Sequence, residues 1–119
     1  MEVTYDADKR KLLSALCHAM SFFGLSFVSI GIPIAIMLVS DDPVVKENAK
    51  ESINFHLNLW FWGGVTAVLY FLIIGWLLSP IIWPIGLIYS FVLPGWAVFK
   101  CLTNPDEAHR YPFIFRLPL

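Results

Sequence analysis

The sequence predicts an all-α, polytopic membrane protein built from two helical hairpins, four helices in all. Three observations predict it. Hydrophobic residues make up 58% of the chain and charged residues only 14%, against about 45–50% and about 25% in soluble domains. Residues 12–40 contain no Asp, Glu, Lys or Arg, and neither do residues 52–99, runs of 29 and 48. About 20 apolar residues suffice to cross a hydrocarbon core roughly 30 Å thick. The third observation is the grouping of all eight Lys and Arg residues outside those two runs.

The 119 residues are read as a single membrane domain. A polar lead ends in Lys9-Arg10-Lys11, which marks a membrane edge. Helix 1 is expected over about 9–28 and is retained. The acidic lead (Glu2, Asp6, Asp8) and the length of the apolar run do not fit a secretion signal. Leu16 is too bulky for a lipoprotein site before Cys17.

Gly31 and Pro33 interrupt the first run, because proline removes a backbone donor and disfavours helix in the residue before it. Helix 2 is therefore expected over 31–40 and is short or re-entrant. The alternative is one kinked span over residues 12–39, giving three spans in total. Asp41-Asp42-Pro43 is a helix start, with an Asp cap followed by Pro at the first helical position. Helix 3, with an interfacial extension carrying Lys46, Glu47, Lys50 and Glu51, is expected over 43–79.

A straight helix over the second run would be about 72 Å long, so the chain must turn back. Ser79 and Pro80 are the expected turn, with helix 4 over 81–100 and a cytoplasmic tail over 101–119. Trp60 and Trp62 would then mark one interface, and Trp76 and Trp83 the other. The fold-back places every basic residue on one side, whereas three spans divide them three against five. Both termini are thus expected on the cytoplasmic or stromal side.

Polar residues inside a span are costly and are candidate sites. Asn54 and Asn58 lie four apart on one helix face near Lys50, and His18 shares a face of helix 1 with Ser14 and Ser21. Each has a simpler reading as interhelical hydrogen bonding. Ala15/Ala19 and Gly63/Ala67 suit close helix packing. Asp106-Glu107-Ala108-His109 spells a helicase box, but without a phosphate loop it reads as a surface turn. Cys17 and Cys101 have no metal-ligand spacing. No catalytic set, cofactor fingerprint, metal motif or small-molecule site is evident, and a net charge of −1 leaves no footprint for nucleic acid. An enzyme is not expected. The expected partners are the lipid bilayer and other membrane subunits or further copies of the chain.

Three segments resemble a known family: Leu13-Ser14-Ala15-Leu16-Cys17-His18, then Lys50-Glu51-Ser52-Ile53-Asn54-Phe55-His56, then Arg110-Tyr111-Pro112-Phe113-Ile114-Phe115-Arg116. Together they resemble a bacterial family of small integral-membrane proteins similar to the 20-kDa subunit of the chloroplast Tic protein-import translocon. The resemblance spans roughly residues 12–116. It implies a four-helix module in a bacterial inner, thylakoid or plastid envelope membrane. It also implies a role as a translocation or pore module, or as an accessory subunit of a larger complex. The chain departs from that pattern in the loop after the second helix, which is usually Lys-rich before its aspartate and here reads Val39-Ser40-Asp41-Asp42, and at Met37, where a tryptophan is usual.

Overall fold

The computed structural model describes residues 6–23, 27–112 and 114–116. Among them there is no strand, and four helices account for the fold. Helix α1, Ala7–Ala19, starts where the Asp6 side chain accepts hydrogen bonds from the amides of Asp8 and Lys9. It runs on as a 3₁₀ turn over Met20–Phe23. The chain then turns through residues 27–30, held by the Ser29 hydroxyl donating to the Phe23 carbonyl at 2.7 Å. Helix α2, Gly31–Val39, follows. Pro33 lies in its first turn, where a missing amide costs no helical hydrogen bond.

Asp42 caps α3, Pro43–Phe71, accepting from the Val44 amide at 3.0 Å, and Pro43 supplies the fixed φ of the first position. Helix α4, Ile74–Thr103, is one 30-residue apolar helix and the only candidate span among the described residues. Pro80 and Pro84 lie inside it. A π turn over Ile88–Val92 precedes Pro94. A proline ring clashes with the carbonyl four residues back, here Ser90, and the wider turn relieves that clash.

The hairpin between the two long helices does not turn at Ser79 and Pro80. It turns at Leu72 and Ile73, with Ile73 in the left-handed region at φ 74°. Ser79 and Pro80 stand instead within the second arm. There the Ser79 hydroxyl donates to the Gly75 carbonyl at 3.0 Å and lies 2.7 Å from the Tyr70 hydroxyl across the hairpin. What brings the arms together is Gly75. A Cβ there would lie 2.7 Å from the Tyr70 nitrogen and 2.8 Å from the Leu69 carbonyl carbon. The displaced turn also moves Trp83. It lies nine residues into α4, about 13 Å from the tip, rather than beside it.

The molecule is 60 Å long and 24 by 21 Å across. Helix α1 packs on α3 and on the C-terminal part of α4, and α2 packs on α3. Burial concentrates in this charged half. Residues Ile53, Phe55, Ala97 and Tyr111 are buried there, whereas Phe71, Leu72, Ile73, Trp76 and Leu77 at the far tip are exposed. A long uncharged tip exposing large apolar side chains is the surface that lipid solvates.

Candidate functional site

The buried centre of the charged half is polar. Along α3, Asn48, Glu51, Phe55 and Asn58 recur at spacings of three, four and three, and all four are buried. They form one helix face. Along α1, Ser14, Cys17, His18 and Ser21 form the opposing buried face. Small residues let the two helices approach closely, and the Ser52 hydroxyl reaches the Cys17 carbonyl.

The α3 face holds the C-terminal tail through three backbone amides. The Asn48 carbonyl oxygen accepts from the His109 amide at 3.0 Å. The Glu51 carboxylate accepts from the Tyr111 amide at 2.8 Å. The Asn58 carbonyl oxygen accepts from the Phe115 amide at 2.9 Å, while its amide group donates to the Phe115 carbonyl at 2.7 Å. Side chains on one helix thus take the place of a neighbouring β-strand for an extended tail. Arg116 closes the arrangement. Its Nε lies 2.9 Å from both Glu51 oxygens and its Nη2 2.7 Å from one of them, while Nη2 also donates to the Tyr111 carbonyl.

Tyr111 is 1% exposed and anchors the tail. Its ring stacks on Phe55 at 4.3 Å between centroids, and Phe55 stacks on Tyr89 of α4 at 5.2 Å. Its hydroxyl lies 2.7 Å from His18 Nδ1. The tautomer of His18 follows from its other nitrogen. Nε2 lies 2.8 Å from the Asn48 carbonyl oxygen, which can only accept, so Nε2 carries the proton. Nδ1 is then bare and accepts from the Tyr111 hydroxyl. The chain of contacts His109–Asn48–His18–Tyr111–Glu51–Arg116 therefore joins α1, α3 and the tail. Burial pushes the Tyr111 phenol well above its ordinary pKa. It also pushes His109 down, an effect that Glu51 opposes and Lys100 adds to. Both groups are neutral near pH 7, so the interior near the tail carries one charge pair, Glu51 with Arg116.

A second ion-pair junction sits at the surface. Arg10 of α1 holds both oxygens of Asp42, through Nε at 2.8 Å and Nη2 at 3.0 Å, and reaches Asp106 through Nη1 at 3.0 Å. Burial opposes ionisation of Asp42, but Arg10 and the amides of Val44 and Val45 outweigh it and hold its carboxyl below the usual range.

Of the residues picked from sequence, the structure brings His18 and Asn58 to this network. Asn54 is buried on the same stretch of α3. Lys50 is not with them. It pairs with Glu47 at 3.4 Å on the outer side of the helix. Sequence reasoning missed Asn48, Glu51, Tyr111 and Arg116. The available signal was the three-four-three spacing of polar residues along α3, opposite a tail with aromatic and basic residues. Among the described residues no group of His, Cys, Asp or Glu has the geometry to hold a metal ion.

Residues 9–118 match the family described as the magnetosome magnetite crystal formation protein family, MamF/MmsF. No curated protein and no solved structure matches the chain. The match overturns the likeness to the Tic translocon family, and with it the protein-import reading and the thylakoid or plastid location. The physical reason lies in the motifs behind that likeness. Glu51, Phe55, Tyr111 and Arg116 are the parts that clamp the tail to α3. Such residues mark a way of folding and carry no information about transport. The chain belongs to the MamF/MmsF family of magnetosome proteins of magnetite crystal formation.

Proposed function

We propose that the chain serves crystal formation as a non-catalytic organiser of the magnetosome membrane, with its charged end in the cytoplasm. One observation carries this reading. The 48 uncharged residues fold into a hairpin whose two limbs begin and end at the same end of the molecule. The far tip, around Leu72 and Ile73, offers no carboxylate or other ionic group to a mineral surface.

In this reading the fold is two hairpins. The α3–α4 hairpin crosses the bilayer, since α4 at about 45 Å exceeds a hydrocarbon core of roughly 30 Å. The α1–α2 hairpin enters from the same side and turns inside, because nine residues of α2 give only about 13 Å. All eight basic residues then lie on one side, which the positive-inside rule makes cytoplasmic. The clamped tail and the polar α3 face, with Asn54, Asn58 and His18, fix the shape of that end. Other membrane proteins or further copies of the chain bind it, and crystal growth responds through that assembly.

The test is topology followed by crystal size. In a Cys17→Ala/Cys101→Ala background, single cysteines at Asp41 and Glu107 are labelled with an impermeant maleimide in intact magnetosomes. Labelling of both positions without permeabilisation is expected. Labelling only after permeabilisation would place the charged end in the lumen, where its carboxylates could meet the mineral directly, and would refute this reading. Electron microscopy of crystals from cells carrying the tail-releasing variant Glu51→Ala then reads the effect on crystal size.

A further inference from the structure

We propose that the C-terminal tail is a proton-operated strap: uptake of one proton by the His109 ring releases the tail and bares the polar face of α3. His109 enters the clamp through its backbone amide, bonded to Asn48 at 3.0 Å. Its ring has a separate position. It stands edge-on to His18 of α1 at 5.7 Å and to Tyr111 at 5.0 Å between centroids. The residue is 8% exposed, and Nε2 is buried with no hydrogen-bond partner among the described residues. A buried imidazole nitrogen without a partner is thus wedged between the tail and the bundle it is strapped to.

That pocket suits the neutral ring and not the imidazolium. Protonation adds a full charge and makes both ring nitrogens donors, which is costly in a buried site without an acceptor. The groups around the ring offer little compensation. On α1, His18 already gives its Nε2 proton to Asn48 and accepts from Tyr111 at Nδ1. On α3, the Asn48 oxygen already takes His18, the His109 amide and the Cys101 thiol. Glu51 attracts a cation, but its carboxylate is held by Arg116 and the Tyr111 amide. Lys100 of α4 repels one. Burial, the largest influence, pushes His109 below its ordinary value, and Glu51 opposes this without reversing it. In an open tail the ring meets water and titrates near the ordinary value of about 6.5. The closed tail therefore has its full stability above about pH 6.5. Each pH unit below that favours opening by up to about ten-fold, until the lowered closed-state value is reached. The device belongs to the charged end alone and stands apart from the organiser reading.

The experiment is limited trypsin cleavage at Arg110 of the full chain in mild detergent from pH 7.5 to pH 5.5. Each rate is divided by that of a free peptide of residues 104–116 with the same residue at 109, which cancels the protease's own pH dependence. The normalised rate of the parent chain is expected to rise at least about three-fold and at most about ten-fold, with helix content unchanged. His109→Gln and His109→Phe keep the backbone amide, and Phe keeps a packed ring; both are expected to rise less than about three-fold. A parent rise below about three-fold overturns the strap. So does a rise of about three-fold or more in either variant, which assigns the proton to another group, His18 foremost. Helix content falling in step with cleavage also overturns it, because the event is then global unfolding. A nuclear magnetic resonance titration of the parent His109 ring, assigned by its absence from the His109→Gln spectrum, decides the matter even if both variants lose the closed tail. A midpoint below 6.5 is expected, and one at or above 6.5 overturns the proposal.

Discussion

Replacing Glu51 with Ala releases the tail, and the size of the effect can be worked from its contacts. Glu51 is 4% exposed, and its carboxylate is the acceptor for the Tyr111 amide at 2.8 Å and for the Arg116 guanidinium at 2.7 Å. The Tyr111 amide is deep enough that losing its acceptor leaves a buried donor unsatisfied, at a cost of about 1–3 kcal/mol. The Arg116 side chain is 32% exposed, so it can turn to water and adds less than about 1 kcal/mol. The tail should therefore open more easily by about 2–3 kcal/mol, an increase of roughly 30- to 150-fold in the open population. The Arg110–Tyr111 bond is a trypsin site that the clamp protects. Where opening is fast relative to cleavage, the cutting rate follows that population. Glu51→Ala should speed cleavage at Arg110 by that factor in detergent, with helix content by circular dichroism unchanged. Glu51→Gln keeps an acceptor for the Tyr111 amide and should speed cleavage only about five-fold, the equivalent of about 1 kcal/mol. A Glu51→Ala rate within two-fold of the parent chain would show that the tail is held by Tyr111 packing alone, and the clamp argument would fail.

Three further outcomes follow from the same geometry. Asn48→Leu removes the acceptor of both His18 Nε2 and the His109 amide, and should lower unfolding free energy in a denaturant titration by about 2–5 kcal/mol. A loss below about 1 kcal/mol would show that these two hydrogen bonds do not hold the site together. Gly75→Ala forces a Cβ against the backbone of Leu69 and Tyr70 and should cost about 1–3 kcal/mol, whereas Gly86→Ala meets nothing within 4 Å and should be neutral or slightly stabilising. Matched thermal melts of the two variants check the contrast, and equal shifts would remove Gly75 from the hairpin crossing. For Asp42 the folded pKa is lowered, so its pairing with Arg10 stabilises above the ordinary carboxylate value of about 3.9 and is lost as pH falls through the lowered folded value. Asp42→Asn keeps a capping side chain but not the charge. The melting-temperature gap between Asp42→Asn and the parent chain should be open at pH 7 and narrow progressively as pH falls below about 3.9, and a gap independent of pH would refute the ion-pair contribution.

The class of the fold was legible in the chain because it rests on a one-dimensional property. Charge is excluded from hydrocarbon wherever the chain goes, so two uncharged runs and a cluster of basic residues suffice to read a helical membrane protein. Capping at Asp42-Pro43 was legible for the same reason, since capping chemistry is local. The hairpin turn was not. Proline at position 80 is a strong local breaker, yet α4 absorbs it as an interior residue, and the chain reverses at Leu72-Ile73, which carries no turn residue at all. The deciding contact is the close approach of Gly75 to the backbone of Leu69 and Tyr70, which depends on how the two arms cross and not on the turn propensity of any residue between them.

The polar site divides in the same way. The sequence by itself determined that Asn58 and His18 are polar groups in apolar surroundings and must find partners. Only the tertiary structure decided which partners. Asn58 meets Phe115 57 residues away, Glu51 meets Arg116 65 residues away, and His18 meets Tyr111 93 residues away. Local physics states that a buried donor needs an acceptor, and packing alone determines which acceptor lies within reach.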